Sequence, residues 1–276
     1  MTGPTSAGAY AGKLSRDELS AIVACPVCRA PLALPEAPET RCAECATSYR
    51  RLAHAWDLTP PRERWSSETW EAWEQLQENG DVSYREDPEN NLGVGPRDDH
   101  LAFSSFAGLD GLVLDVGCGP QPWPTNFDRH APGTRFVGVD PLVGTREAHY
   151  TQIRALAEFL PFADARFDHV LFATSLDHFV DPTEALREAR RVVAADGSID
   201  IWVGHKRADA PAPAESPAWY RTLVKPPAAD DVFHFKRLDA QASEALFAAA
   251  GLRVAHTETH AVDEYRTNHF YKLSPA

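Results

Sequence analysis

Val113-Leu114-Asp115-Val116-Gly117-Cys118-Gly119-Pro120 is the stretch whose reading decides the fold. Leu112, Val113 and Leu114 form a short apolar run, the pattern of a strand buried in the centre of a parallel sheet. Two glycines spaced G-x-G and a proline then stop the strand in a tight turn. Gly117 and Gly119 supply backbone freedom and leave no Cβ where a ligand approaches the main chain. A helix after such a turn points its first N–H groups into the crevice. Taken alone, the stretch also reads as a strand ending in an ordinary glycine-rich turn.

Moving outward, the pattern from Phe106 onward alternates strands and helices, the signature of a doubly wound α/β sheet. The spacing predicts strands over 112–115, 135–140, 150–156, 167–173, 198–204 and 252–259, with a last strand over 269–273. Helices are predicted over 183–195, ending at Gly197, and over 239–250, stopping at Gly251. Residues 205–232 are rich in Ala and Pro and read as an insertion in which Trp219 and Tyr220 wall a pocket or pack a lid. Trp65, Trp70, Trp73 and Leu76 lie at near-helical spacing behind Ser66 or Ser67 as cap. The acidic run from Glu78 to Asp99 reads as a loop placed to fold over the crevice.

Upstream, four of the five cysteines fall into two C-x-x-C knuckles, Cys25/Cys28 and Cys42/Cys45. Two such knuckles bring four thiolates to one point, as tetrahedral Zn²⁺ requires at about 2.3 Å per sulfur. Two disulfides or unrelated buried thiols are the competing readings. All four zinc positions would be filled by protein, so a metal held there is structural. The resulting organisation is a flexible leader over 1–18, a zinc ribbon over 19–58, a helical and lid segment over 59–105, and an α/β domain over 106–276. The leader lacks a basic head followed by an apolar run, so a cytoplasmic location is expected.

The 276 residues carry 27 Lys and Arg against 40 Asp and Glu, a net charge of −13. That balance argues against a mainly phosphate-driven nucleic-acid binder. No apolar run is long enough to span a membrane. A small-molecule substrate is therefore expected, with no membrane partner, and homo-oligomerisation is left open.

The zinc module, with CPVC (25–28), CAEC (42–45) and Tyr49, resembles the ribbons of small activator proteins of tRNA and protein methyltransferases. It is also similar to the N-terminal module of bacterial 23S rRNA guanine-N1 methyltransferases. Its four arginines, 29, 41, 50 and 51, are balanced by Glu36, Glu39, Glu44 and Asp57, so a stabilising or substrate-capping role is favoured over RNA capture. About 170 residues resemble class I S-adenosylmethionine-dependent methyltransferases, carried by VLDVGCGP (113–120), VGVDP (137–141), AEFLPF (157–162), FDHVLFATSLDH (167–178) and AADGSI (194–199). The resemblance implies a seven-stranded Rossmann-like methyltransferase sheet behind the ribbon. In such sheets ligands lie over the carboxyl ends of the strands at the switch point. Gly117 and Gly119 would then admit the methionine part of the cofactor, and Asp115 would fix the loop or the ammonium. Asp140 would accept both ribose hydroxyls, a contact suited to a carboxylate. Cys118, Pro141 and Thr174 complete the cofactor-facing set on the same strand ends.

The family usually begins the third motif with an acid that bonds the adenine amine, where this chain has Leu156. Ala157 still offers a backbone N–H, with Glu158 beside it and Phe159 or Leu160 bordering the base. A nicotinamide dehydrogenase shares the glycine turn and the downstream acid, but its third glycine is replaced here by Pro122.

Methyl transfer needs a nucleophile aligned and relieved of its proton. His178, with Asp177 adjacent, follows the fourth strand and is the candidate general base. Packing at the next helix's first turn is its alternative role. His205 and His234 are lesser candidates. Three functions follow: methylation of an O or N atom of a small metabolite or saccharide, methylation of an rRNA or tRNA base presented by the ribbon, and a non-catalytic partner that binds protein through the ribbon.

Overall fold

The computed structural model describes residues 12–88, 98–207, 209–211 and 216–276. The predicted central strands are present as β4 (Leu112–Val116), β5 (Arg135–Val139), β6 (Thr151–Arg154), β7 (Phe167–Ala173) and β8 (Val193–Lys206). Strands β9 (Leu252–Ala261) and β10 (Arg266–Pro275) close the chain. In β4, Val113 to Val116 are all buried, as the apolar run requires for a strand covered on both faces. Across the sheet the seven strands run β6-β5-β4-β7-β8-β10-β9. The first five are parallel to one another and β10 is antiparallel to both of its neighbours. From β4 the chain first builds outward to β6, then returns to β7 on the other side, so the switch point lies between β4 and β7.

The ribbon continues this same sheet. β1 (Glu39–Arg41) and β2 (Ser48–Arg51) form a hairpin, β3 (Trp56–Asp57) pairs β2, and β3 lies parallel to β6 through Trp56↔Ile153 and Asp57↔Arg154. One apolar core runs across the join, with Val23, Leu32, Leu34, Trp56 and Leu58 packed together with Ile153, Leu160 and Phe162. Arg29 reaches from the ribbon to Glu188, donating across 2.8 Å. Helix α1 (Arg16–Ile22) leads in with a capping box, Ser15 and Glu18. The leader expected over 1–18 falls outside the described residues up to 11, and its residues 16–18 are the first turn of α1.

Two further expectations are corrected. The described part of the segment expected as a loop from Glu78 to Asp99 is mostly helical: α2 (Ser67–Glu86), capped by Ser66, runs through its first nine residues, and α3 (Asp98–Ala107) opens at its end. Residues 89–97 of that segment lie outside the described residues. Asn79 and Gly80 do not break α2 because Asn79 is buried and donates to the Val224 and Val232 carbonyls, 2.7 Å each. The helix predicted over 183–195 is α4 (Pro182–Val192), and the chain enters β8 directly at Val193. Gly197 sits inside that strand, at an irregularity in the β7–β8 register, where a Cβ would meet the Asp168 carbonyl at 2.6 Å. Helix α5 (Ala240–Ala249) is capped by Asp239 and stops before Gly251, whose φ is +72°. Among the described residues no helix is long and apolar enough to cross a membrane.

Candidate functional site

The chain leaves β4 through Gly117 (φ +81°) and Gly119 (φ +66°), both in the left-handed region that favours glycine. A Cβ on Gly117 would lie 2.4 Å from that of Ser175, whose hydroxyl donates to the Val116 carbonyl at 2.6 Å. The glycine is thus needed for the turn after β7 to pack on the turn after β4. Gly119 N–H donates to Asp140 Oδ2 (2.9 Å) and Leu142 N–H to Asp140 Oδ1 (2.8 Å). Asp140 ties the two strand ends together, keeping further lone pairs for a ligand. Burial raises its carboxyl above the usual range, opposed by those two N–H groups. A third structural glycine, Gly138, was not singled out by sequence: a Cβ there would collide with Cys118 Sγ and the Tyr150 ring, 2.6 Å each.

Above these turns opens a crevice of about 370 Å³, a size usual for a small-molecule site. Asp115, Gly117, Cys118, Asp140, Pro141, Ala157, Glu158, Thr174 and His178 all line it. Asp115 and Asn126 lie side by side in this lining, and Trp202 Nε1 is buried with no hydrogen-bond partner within the protein. Burial pushes the Asp115 carboxyl up to about 7, with Asn126 beside it acting in the opposite sense. Thr174 takes a left-handed conformation (φ +59°) and donates its N–H to the Trp202 carbonyl at 3.1 Å. A β-branched residue held so is strained, and such strain concentrates at ligand sites.

Three expected positions, Gly119, Phe159 and Asp177, are not among the residues that line the crevice, Asp177 standing beside it behind His178 and His234. Gly119 stands behind the Tyr84 hydroxyl, which a Cβ there would meet at 2.7 Å. Phe159 turns away from the crevice onto Trp65 (ring centroids 5.8 Å), under the Arg64 guanidinium. That contact explains part of the tryptophan stripe: Trp73 packs edge to face against both Trp65 and Trp70, which are tilted on each other, and of the three only Trp73 reaches the crevice. Glu158 lines the crevice but is engaged elsewhere as well, its Oε1 accepting from Val180 N–H (2.8 Å) and Asp181 N–H (3.1 Å).

A cover over the crevice was expected from the segment 78–99, but as a loop and not as a helix. The roof is made by α2, through Trp73, Leu76, Gln77, Gly80, Ser83 and Tyr84, and by Phe233 and His234, which directly follow the insertion. Of the two roles open to Trp219 and Tyr220, walling the pocket or packing, the structure shows packing: they lie on each other and, through Tyr220, on Phe233. His205 lies near His269 on the sheet. His234 instead stacks beside His178, centroids 4.3 Å apart. The His178 Nδ1 must donate to the Phe233 carbonyl (2.9 Å), so its lone pair is on Nε2. His234 Nδ1 is held by Asp231 at 2.8 Å, and its Nε2 faces Asp177 at 3.6 Å. Burial first, then the neighbouring His178, lower the His234 pKa.

In the ribbon the four cysteines, none of them disulfide-bonded, bring their sulfurs within 4.8 Å of one another. Cys25 and Cys45 stand 3.6 Å apart, Cys28 and Cys42 3.5 Å. Each knuckle closes identically, with Arg29 N–H on the Cys25 carbonyl and Ala46 N–H on that of Cys42, both donors left-handed at φ +63° and +61°.

Residues 114–201 match the family described as a methyltransferase domain. An uncharacterized methyltransferase of Mycolicibacterium vanbaalenii is 32% identical over 123 residues, covering 40% of this chain and 47% of that protein. One from Schizosaccharomyces pombe is 31% identical over 104 residues, 32% of this chain and 37% of its own. The chain thus spans about half or less of the curated relatives it matches. The structure of 1,6-didemethyltoxoflavin-N1-methyltransferase from Burkholderia thailandensis superposes with a TM-score of 0.51 at 13% identity, over 85% of this chain and 98% of that one. Residues 114–201, which run from β4 into β8, thus form a methyltransferase domain set on this sheet.

Proposed function

We propose that the protein transfers the methyl group of S-adenosylmethionine to an oxygen or nitrogen of a small-molecule acceptor, a metabolite or saccharide. The observation that carries this reading is the roofed crevice at the switch point, which among the described residues is lined by no Lys or Arg. The adjacent Asp115 carboxyl and Asn126 amide in the lining match the ammonium and carboxylate of the cofactor's methionine part. Asp140 matches its ribose hydroxyls, and the Ala157 N–H its adenine. When bound, the cofactor supplies a methyl carbon activated by a sulfonium. The acceptor's lone pair attacks that carbon as the carbon–sulfur bond breaks. Asp177 and His178 stand at the acceptor end, where alignment and proton removal are needed.

The cysteine cluster fits structural zinc. A tetrahedral ion with 2.3 Å bonds places sulfurs about 3.8 Å apart, close to the spacings present. Its role in this reading is to hold the ribbon against β6, and with it the edge of the sheet. Methylation of an rRNA or tRNA base is the second reading, supported by the ribbon and opposed by the −13 charge.

Calorimetry with S-adenosylhomocysteine, followed by transfer of labelled methyl to hydroxylated and amino metabolites, tests the proposal. Binding by the native chain and its loss in Asp140→Ala are expected; absence of binding by the native chain overturns it. Tight, salt-sensitive RNA binding would favour the second reading instead.

A further inference from the structure

We propose that Asp177, His178 and His234 hold a divalent transition-metal ion at the acceptor end of the crevice, and that the acceptor chelates it through two neighbouring oxygens. One ligand atom from each residue lies within 4.8 Å of the others. The Asp177 oxygens stand 3.8 Å from His178 Nε2 and 3.6 Å from His234 Nε2. Ligand atoms on one ion at about 2.0–2.2 Å lie roughly 3–3.5 Å apart, so the two Asp177 contacts are within a few tenths of an ångström of that spacing, and the two histidine ligand atoms, within 4.8 Å of each other, close on the ion as it binds.

Their arrangement is otherwise hard to account for. Both rings have Nδ1 committed, one to the Phe233 carbonyl and one to the Asp231 carboxylate. In the neutral form of each ring that leaves two Nε2 lone pairs and a carboxylate converging, a set of ligand atoms open to a cation. Fixing of the far ring nitrogen by a carbonyl or carboxylate is the outer support typical of metal-ligating histidines. The crevice also carries Asp115, Asp140 and Glu158, and no Lys or Arg among the described residues, so a bound cation would meet uncompensated acids.

Two imidazoles and one carboxylate suit Mn²⁺, Fe²⁺, Co²⁺, Ni²⁺ or Zn²⁺ better than Mg²⁺ or Ca²⁺. Three protein ligands leave coordination positions open to an acceptor, as in catalytic metal sites. A vicinal diol, a catechol or an α-hydroxy carboxylate would fill two of them. An oxygen bound there releases its proton to water, and its lone pair forms the bond to the methyl carbon. The carbon–sulfur bond breaks, its electron pair stays on sulfur, and neutral S-adenosylhomocysteine leaves. The chelating acceptor rests on the methyltransferase reading; the metal site does not.

Mn²⁺ titrated into the full zinc-loaded chain, with free ion followed by electron paramagnetic resonance, tests the site. Thiolates disfavour Mn²⁺, so the ribbon does not compete. One Mn²⁺ per chain is expected, with affinity lowered at least about 100-fold in Asp177→Asn and in His234→Gln. In Asp231→Asn, which touches only the support of His234, the loss expected is about 10–100-fold. Affinity for S-adenosylhomocysteine is expected to stay within about threefold in all three variants, which also shows that they fold. No Mn²⁺ binding by the native chain, or equal binding by the first two variants, overturns the site while leaving methyl transfer standing. Mn²⁺ binding without S-adenosylhomocysteine binding would keep the site and remove the chelating acceptor.

Discussion

Replacing Glu158 with Gln should make the stability of the chain less dependent on pH. Glu158 follows β6, is 4% exposed, and accepts the Val180 and Asp181 N–H groups that lead from Asp177 and His178 into α4. Burial nevertheless pushes its pKa up from 4.5 to about 7. The folded state therefore holds this proton more tightly than the unfolded state. The resulting stability is fully present below 4.5 and is lost as pH rises through 7. A shift of about 2.5 units at 1.36 kcal/mol each is worth about 3 kcal/mol. Gln keeps a carbonyl for the two N–H groups and has nothing to titrate. Denaturant unfolding of both proteins from pH 4 to pH 8 should show wild-type stability falling relative to Glu158→Gln by about 3 kcal/mol. Zinc affinity and other titrations cancel in that difference. A difference that is flat with pH, or that moves toward the wild type, would refute the reasoning.

Three further outcomes are expected. Gly117→Ala puts a Cβ 2.4 Å from that of Ser175 in a left-handed backbone and should cost about 2–4 kcal/mol in denaturant unfolding, part of it recovered by Ser175→Gly. Lys272→Met removes the ammonium 2.6 Å from the fully buried Asp200, leaving that carboxylate to His169 and Ser198; a loss of about 3–5 kcal/mol is expected, and one under 1 kcal/mol would deny the pair its role. Chelation of the ribbon metal should raise amide exchange through residues 23–58 and along β6, while β4 and β7 stay protected; unchanged exchange in β6 would mean that the edge does not depend on the metal.

The parts of this chain that were legible in the sequence are those encoded by local chemistry. Leu112 to Val116 could only be a buried strand, and β7 matches its predicted residues end for end. Paired knuckles bring their sulfurs together because a C-x-x-C turn closes on itself. Asp140 stands where a strand end meets a glycine turn, which its place in the sequence already implied. What misled was residue type read without its neighbours. Asn79-Gly80 looks like a helix breaker, yet the Asn79 amide is spent on the Val224 and Val232 carbonyls, 145 and 153 residues away, and α2 continues.

Phe159 follows an adenine-bordering motif, but Trp65 draws it out of the crevice. The ribbon reads as a separate module, and two residues of β3 make it part of the sheet. By itself, then, the sequence determined the α/β alternation, the metal-type cysteine cluster and the cofactor-side turns, because each depends on residues near one another in the chain. Only the tertiary structure decided that the roof is a helix, α2, and that His234 arrives beside His178. Those contacts join segments far apart in sequence, and no local periodicity or spacing records which of them will meet.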